Sequence, residues 1–147
     1  MHITFEQVLA NEEIHTYIEQ SDAVLLSMGY TEHSFPHVMR VAELTHKILT
    51  TLNYPKRDCE LASIAAYLHD MGNMINRHNH AQNGALLAFD LLKQMHAEPN
   101  DIALIMTAIG NHDEGTAFPV DPITAALILA DKSDVRYTRA RKSTRLN

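Results

Sequence analysis

Apolar residues recur along this chain at intervals of three and four, the spacing that places them on one face of an α-helix. One broad face of residues 38–52, for example, carries Val38, Val41, Ala42, Thr45, Ile48, Leu49 and Leu52. No segment alternates apolar and polar residues with the period of two that a half-buried strand requires. The pattern therefore predicts an all-α protein.

Residues that favour helix ends divide the chain into segments. Thr4 and Asn11 are suited to cap an N-terminal helical region that runs toward Met28, and Gly29 breaks that region. Gly72 is placed to end a later helix in a left-handed conformation. The further helices are predicted at about residues 35–52, 58–70, 80–96 and 99–110 and from residue 122 onward.

Length and composition predict one globular domain spanning residues 1–147. With 147 residues, of which 46% are hydrophobic and 20% charged, the chain can bury a continuous core without disulfides. No internal repeat or linker interrupts it. The net charge of -6 argues against a nucleic-acid polymer or an anionic membrane as partner, although basic residues cluster after residue 135. Whether the chain forms a homo-oligomer is left open.

Nothing in the sequence indicates export or a membrane span. The first residues lack a basic stretch followed by an apolar one, and the apolar run Ile123–Ala130 is far too short to cross a bilayer. The lone Cys59 cannot form an internal disulfide and fits an inert thiol in a helical core. We therefore expect a cytoplasmic protein.

Several polar residues fall on helical faces that are otherwise apolar. His69 and Asp70 close the apolar run 64–68, where the negative end of a helix disfavours a carboxylate. Asp131 directly follows another apolar run, so its charge requires a cation, either an arginine or a metal ion. These positions need a partner that the apolar pattern does not supply.

Three further histidines stand at the edges of apolar stripes. His37 begins one stripe, His80 begins another that includes Gly84, and His112 follows a helix-ending glycine. Taken singly, they fit a core histidine, a helix-start residue and an exposed loop histidine. Taken with the acidic residues, they fit one site, because manganese, iron and zinc bind mixed imidazole and carboxylate sets that a helical bundle can present from separate helices.

These residues make the chain resemble the HD-domain superfamily of metal-dependent phosphohydrolases. The signature of that superfamily is a distant His, an adjacent His-Asp pair and a later Asp on another helix, matched here by His37, His69-Asp70 and Asp131. Members with two metals add a His ahead of a Gly-Ala pair and a His in a loop, matched by His80 before Gly84-Ala85 and by His112. The resemblance covers about residues 34–139. A second His-Asp pair, His112-Asp113, follows a glycine that ends a helix and is not taken as the signature.

The resemblance implies a compact, HD-domain-like helical bundle with a metal site in its core. The site would hold one or two divalent transition-metal ions, with Mn, Fe and Zn as the candidates. A single ion would be bound by His37, His69, Asp70 and Asp131. With two ions, Asp70 would bridge them, and His80 and His112 would bind the second; His78 is an alternative to His80.

The implied activity is hydrolysis of a phosphomonoester or phosphodiester, of a nucleotide or a related small metabolite, by attack of metal-bound water. Asp70 would take part in catalysis as the bridging ligand. Asp113, or Glu114 beside it, could act as general acid or base. Arg136 could bind the substrate phosphate, with Lys132 and Arg139 on the same helical face. A solvated acidic loop and a basic helix end are the simpler interpretations of these last residues.

Two departures from the family pattern bear on the substrate. Asn73 stands where many relatives have a lysine, so a cationic phosphate contact is missing there. The loop at residues 113–119 lacks the Gly-Tyr-Pro segment of the cyclic di-GMP phosphodiesterases, which disfavours that substrate. The alternatives to an enzyme are a metal-holding regulatory or ligand-binding module without turnover and a purely structural metal site. Oxygenase chemistry on a di-iron site also stays open.

Overall fold

The computed structural model describes the backbone of residues 2–30 and 35–146 and the side chains of residues 2–30 and 35–134. Within these ranges the chain is helical and contains no strand, so the predicted all-α fold is confirmed. The α-helices are α1 Phe5–Ala10, α2 Glu12–Ser27, α3 Phe35–Thr51, α4 Lys56–Leu68, α5 His80–Gln94, α6 Pro99–Gly110 and α7 Pro122–Leu146, and a short 3-10 helix covers Met71–Met74. None of the described helices is both long enough and apolar enough to cross a bilayer.

The two caps predicted near the start of the chain are both present. Thr4 accepts a hydrogen bond from the backbone N–H of Gln7, and the Gln7 side chain accepts one from the backbone N–H of Thr4. The side chain of Asn11 accepts a hydrogen bond from the backbone N–H of Ile14 at 2.9 Å and so begins α2. Because Asn11 itself is extended, the predicted N-terminal helical region is two helices.

The turn after α2 fixes the position of an aromatic side chain. Gly29 has a φ of 93°, a left-handed conformation that favours glycine. The backbone N–H of Tyr30 donates to the carbonyl of Leu25 at 2.9 Å, and that of Gly29 donates to Leu26 at 3.1 Å. This pair of bonds is the Schellman motif, which closes a helix with a defined exit direction. Tyr30 is therefore held at the end of α2.

Helix α4 forms the centre of the bundle. Every residue from Leu61 to Leu68 is buried, and the helix packs against α1, α3, α6 and α7. A helix that is apolar on all sides is stable only when neighbours surround it. The two polar residues that follow Leu68 therefore lie at the end of a fully enclosed helix.

The prediction for Gly72 is wrong, and the reason is packing. Helix α4 ends at Leu68, and Gly72 lies inside the 3-10 helix without a left-handed φ. A Cβ atom on Gly72 would meet the carbonyl oxygen of His80 at 1.9 Å and the backbone nitrogen of Gly84 at 2.6 Å. Gly72 is thus required because the 3-10 helix runs against the first turn of α5. Gly84 is the residue that faces it.

A second difference concerns the end of α3. The helix stops at Thr51, and Leu52, which the pattern placed on the inward face, is 62% exposed. Asn53 has a φ of 63°, so the chain turns away from the bundle directly after the helix. The other residues of that predicted face are buried or partly buried.

The N-terminal segment is tied to the bundle by Arg57. Its guanidinium donates to the carbonyl of Ile3 at 2.6 Å and forms ion pairs with Glu60 at 2.9 Å and Asp101 at 2.5 Å. Glu60 in turn accepts a hydrogen bond from the backbone N–H of Phe5. This network joins the start of the chain to α4 and α6, because each charged group is satisfied by a partner on another element.

Candidate metal centre

The structure brings together all six of the predicted metal ligands. They come from five different parts of the bundle: His37 from α3, His69 and Asp70 from the end of α4, His80 from the first turn of α5, His112 from the segment after α6, and Asp131 from α7. Five of them are buried, and the side chain of Asp131 is 24% exposed. Residues that are 94 positions apart in the chain, His37 and Asp131, thus share one centre.

Asp70 lies in the middle of this cluster. Its Oδ2 atom is 3.2 Å from Nε2 of His37 and 3.3 Å from Nε2 of His69. Its Oδ1 atom is directed to the opposite side, 3.8 Å from Nε2 of His80. The two carboxylate oxygens therefore face two different groups of histidines.

Asp131 faces the first of these groups. Its Oδ1 atom is 3.2 Å from Nε2 of His37 and 3.3 Å from Nε2 of His69. The sequence left open whether an arginine or a metal ion meets this carboxylate. The nitrogen atoms that contact it belong to His37 and His69, and histidines are themselves metal ligands in proteins.

Three of the histidines are oriented by the backbone in the same way. The Nδ1–H of His69 donates to the carbonyl of Ala66, that of His80 to Arg77, and that of His112 to Ile109. In each case the acceptor lies three residues earlier. A histidine whose Nδ1 carries the proton presents the lone pair of Nε2, the form that binds a metal.

His112 supplies the test of whether a metal fits this centre. Its Nε2 atom is buried and has no hydrogen-bond partner in the described part of the chain. A buried polar atom left in this state costs about 1–3 kcal/mol. The nitrogen faces the cluster, where the rings of His69 and His80 lie 4.9 Å and 5.2 Å from its own ring centre. A cation at the cluster removes this cost, so the donor set fits a metal.

His37 is oriented by a carboxylate. Its Nδ1–H donates to Oδ2 of Asp134 at 2.6 Å, and Asp134 also accepts a hydrogen bond from Nε of Arg40 at 2.7 Å. Asp134 is buried, whereas the Arg40 side chain is 45% exposed. This carboxylate–histidine arrangement fixes the ring and makes its second nitrogen more basic toward a metal.

In the metal-free protein, the acidic residues set the charge of His37 and His69, the first pair of histidines. Burial alone would lower the pKa of His37, but hydrogen bonds with Asp131, Asp134 and Asp70 raise it to about 11. At His69 burial is also outweighed, because the carboxylates of Asp70 and Asp131 raise its pKa. His37 is therefore protonated at neutral pH until a metal replaces the proton, and the carboxylates favour the protonated form of His69 in the same way.

The pKa values of the second pair of histidines, His80 and His112, shift in the opposite direction. Burial lowers the pKa of His80 despite the carboxylate of Asp70, and the nearby charge of Arg77 lowers it further. Burial and the charge of His69 lower the pKa of His112 to about 4. These two rings are neutral at neutral pH and need to release no proton before they bind a metal.

Three overlapping sets of donor atoms lie within 4.8 Å of one another in this cluster: His37, His69 and Asp70; His69, His112 and Asp131; and Asp70, His80 and His112. Each set combines imidazole nitrogen with carboxylate oxygen. Manganese, iron and zinc accept such mixed sets, whereas magnesium and calcium prefer oxygen alone. The predicted candidates Mn, Fe and Zn all fit the donor chemistry.

Two side chains hold the backbone at Asp70. The hydroxyl of Ser21, from α2, donates to the Asp70 carbonyl at 2.9 Å, and the side-chain amide of Asn73 donates to the same oxygen at 2.8 Å. All three residues are buried. Asn73, which replaces the lysine of many relatives, therefore supports the chain segment that carries the central carboxylate.

A comparison with known protein families matches the HD domain to residues 35–138. The chain belongs to the HD domain family. The resemblance found in the sequence is thereby confirmed, and the match places the chain in a superfamily whose members are generally metal-dependent phosphohydrolases. The matched residues contain all six predicted ligands, which we call the HD cluster: His37, His69, Asp70, His80, His112 and Asp131.

A curated relative comes from Methanocaldococcus jannaschii, where it is described as an uncharacterized protein. It is 26% identical over 160 residues, which cover 93% of this chain and 61% of the relative. The chain thus spans about three fifths of that relative's length. No solved structure matches the chain. That residues 1–147 make up one whole domain stays a prediction.

The predicted residues outside the ligand cluster have different positions. His78, the alternative to His80, is exposed and belongs to none of the donor sets. Asp113 is partly buried, and its charge acts on His80, so it lies on the second side of the cluster. Glu114 is exposed and 3.8 Å from Lys132 of α7. The side chains of Arg136 and Arg139 lie outside the described residues.

A further group of donor atoms, His2, Glu98 and Asp101, lies away from the HD cluster. Here the carboxylate of Asp101 is already 2.5 Å from the guanidinium of Arg57. An added divalent cation would be repelled by that charge. We interpret this group as part of the network that anchors the N-terminal segment.

Sequence reasoning missed Asp134 and its partner Arg40. Asp134 follows Asp131 by three residues, so the two carboxylates share a helix face. This spacing could have identified Asp134. A helix face that presents one buried carboxylate to histidines can present a second one turn later. Arg40 follows His37 by three residues in α3 and offers the matching cation.

Proposed function

We propose that this protein is a metal-dependent phosphohydrolase with two divalent ions, acting on a phosphomonoester or phosphodiester such as a nucleotide or a related small metabolite. The observation that supports it most is the position of Asp70, whose oxygens face His37 and His69 on one side and His80 on the other. A carboxylate between two groups of imidazole ligands is suited to bridge two ions. Paired divalent ions supply Lewis acidity toward water and toward phosphoryl oxygens.

The chain's own residues then have separate tasks. His37, His69, Asp70 and Asp131 would hold one ion, and Asp70, His80 and His112 the other. Asp134 and the backbone carbonyls at Ala66, Arg77 and Ile109 keep the four imidazole rings in place. Rings that are already oriented do not lose further freedom when substrate arrives, which lowers the cost of positioning.

Asp113 is the proposed general acid or base. It lies in the turn directly after His112, partly buried, and its charge reaches His80. From there its carboxyl group could deliver a proton to the leaving oxygen of a phosphate ester. Glu114 is less suited, because it is 82% exposed and faces Lys132. Arg136 keeps its proposed role in binding the substrate phosphate, and it follows the basic residue Lys132 by one helical turn in α7.

A module that holds metal and ligand without turnover is the second candidate. It is favoured by Asn73, which is fully buried and occupied with the carbonyl of Asp70, so it cannot contact a substrate phosphate as a lysine would. Such a protein would bind a nucleotide tightly and leave it unchanged. The experiment below separates the two candidates.

The decisive measurement is turnover after the protein has been loaded with Mn, Fe or Zn. The panel should include an aryl phosphate, a diaryl phosphate and nucleoside mono-, di- and triphosphates. We expect turnover that is abolished by Asp70→Asn and preserved in Asp90→Asn, an exposed carboxylate on α5 that serves as the matched control. Nucleotide binding without turnover would support the second candidate, and turnover that survives Asp70→Asn would refute the proposed site.

A further inference from the structure

Arg77 lies at the edge of the HD cluster with a guanidinium that no carboxylate neutralises in the described part of the chain. Its Nη1 atom donates to Oδ1 of Asn73 at 3.4 Å. Its Cζ atom lies 5.4 Å from the ring centre of Tyr30, in a cation–π contact. Both partners are uncharged. A guanidinium has five N–H donors, so this arrangement leaves several of them for a ligand.

The main chain places Arg77 beside the metal ligands. Its carbonyl oxygen accepts the Nδ1–H of His80 at 3.1 Å, so the same residue orients one ligand of the second group. Asn73, which anchors the guanidinium, also donates to the carbonyl of Asp70. The Arg77 charge also acts on His80. Burial is the main cause of the lowered pKa of that ring, the carboxylate of Asp70 opposes it, and the charge of Arg77 lowers the pKa further.

Tyr30 holds the guanidinium at a defined place. The Schellman turn at the end of α2 fixes the backbone of Tyr30, as described above. The aromatic face then stabilises a cation above it by about 0.5–1 kcal/mol at an exposed site. Arg77 is itself partly buried, so its side chain has less rotational freedom to lose when it binds a ligand.

With two ions bound, the centre would carry a net positive charge that favours binding of an anion. Asp70, Asp131 and the nearby Asp113 bring three negative charges, whereas two divalent ions would bring four positive ones and Arg77 a fifth. Such an excess of positive charge in a buried region is unfavourable until an anion enters. A phosphate group matches it best, because the planar guanidinium can donate to two phosphate oxygens at once.

We propose that Arg77 binds the phosphate group of the substrate beside the metal ions, with Tyr30 and Asn73 as positioning residues. This inference rests on the phosphate chemistry proposed above for the centre. The positive contact that is missing at Asn73 is then supplied four residues later, by a side chain that Asn73 itself holds. The site accepts substrates that carry a phosphate with at least two free oxygens near the metals.

The test uses inorganic phosphate as the probe and the metal-loaded protein, with affinity measured by titration calorimetry. Arg77→Met keeps the length of the side chain and removes the charge. We expect it to weaken phosphate binding by about 10- to 100-fold, the loss typical of a hydrogen bond to a charged group. Lys93→Met is the matched control, because Lys93 also rests on an aromatic ring, 5.2 Å above Phe89, on the outer face of α5.

Two variants of Tyr30 test the positioning role. Tyr30→Leu removes the aromatic face and should weaken phosphate binding less than Arg77→Met does. Tyr30→Phe keeps the ring and should restore the wild-type affinity. A role of Tyr30 in stability alone would lower the melting temperature of Tyr30→Leu and leave its phosphate affinity unchanged, which would refute the positioning role.

The outcomes separate this inference from the proposed function. Unchanged phosphate affinity in Arg77→Met, or no phosphate binding by the wild type, would overturn the role of Arg77. Loss of metal from Arg77→Met, measured by elemental analysis, would also overturn it by showing a structural role. Phosphate binding that depends on Arg77 in a protein without turnover would support the inference and refute the hydrolase.

Discussion

The Nδ1–H of His37 donates to Oδ2 of Asp134 at 2.6 Å, and this contact links α3 to α7 beneath the HD cluster. Arg40, one turn further along α3, donates a hydrogen bond to the same carboxylate from its Nε atom. Because the pKa of Asp134 is lowered by His37 and Arg40 in spite of partial burial, the carboxylate stays charged. The ligand His37 is thus oriented by a negative charge that does not itself reach the metal donors.

Asp134→Asn should therefore weaken metal binding while it preserves the shape of the contact. The amide is neutral, so the imidazole of His37 loses the charge that makes it a stronger ligand. Loss of such a partner typically costs about 10- to 100-fold in metal affinity. The affinity can be measured by competition with a metal-binding dye, with Asp90→Asn as the control. Equal affinity in the two variants would contradict a role for Asp134 in metal binding.

Proton release gives a second prediction, because the four histidines begin in different states. The pKa of His37 is raised to about 11, so this ring binds a proton at neutral pH in the metal-free protein. The pKa of His69 is also raised, which favours its protonated form. The pKa of His112 is lowered to about 4 and that of His80 is lowered too, so both are neutral. Metal binding to the first pair must displace protons, and binding to the second pair need not.

We expect the first ion, measured in His112→Ala, to release protons at neutral pH, and the second ion of the wild type to add fewer than the first, because His80 and His112 are already neutral. Calorimetry in buffers of different ionisation enthalpy measures the number of protons released. The raised pKa values also set the direction of the pH dependence. Protons compete with the metal for His37 and His69, so affinity for the first ion falls as the pH falls. Proton release that doubles with the second ion would contradict the assigned charges.

The substitution Gly72→Ala tests the packing of the 3-10 helix against α5. A Cβ atom there would lie 1.9 Å from the carbonyl oxygen of His80, so the two segments must separate. Overpacking of this kind costs about 1–3 kcal/mol of unfolding free energy. Because His80 is displaced, affinity for the second ion should fall as well.

Gly115→Ala is the matched control, since no atom lies within 4 Å of the added Cβ and its φ is not left-handed. It should change stability by less than about 1 kcal/mol, in the stabilising direction if at all. Chemical denaturation of both variants gives the comparison. A Gly72→Ala protein as stable as Gly115→Ala would mean that the close approach of the two segments is not required.

The helices, and the residues that the structure brings together in the HD cluster, could be predicted because both follow from local patterns. Five of the six adjoin an apolar stripe or run, and His112 follows the glycine that ends α6. Burial of a polar residue demands a partner wherever such a stripe packs. The order His37, His69-Asp70, Asp131 along the sequence then indicates the family. Helix starts at Pro99 and Pro122 agree with the structure for the same reason, since proline fits a first turn.

Gly72 and Asp134 could not be predicted correctly because their roles depend on tertiary contacts. A glycine that ends a helix and a glycine that admits a neighbouring backbone look alike in a sequence, and only the position of His80 decides between them. Asp134 lies where α7 becomes polar, so its carboxylate resembled a solvated residue. Only the approach of α3 brings His37 and Arg40 to it.

The number of bound ions is the last prediction, and it depends on His112. Its Nε2 atom is buried without a hydrogen-bond partner, and its Nδ1–H is committed to the carbonyl of Ile109. Of the three donor sets, two include this ring, and the set of His37, His69 and Asp70 does not. Removal of the imidazole should therefore abolish one ion site and leave the other.

We expect elemental analysis to find nearly two ions per chain in the wild type and about one in His112→Ala, after purification without chelator or affinity-tag histidines. His78→Ala, an exposed histidine outside the cluster, should retain the wild-type content. One ion in both the wild type and His112→Ala would confine the centre to His37, His69, Asp70 and Asp131 and favour a simpler hydrolysis of monoesters. No metal in any preparation, even after reconstitution, would refute the metal-dependent hydrolase, because the proposed attack uses water activated by bound ions.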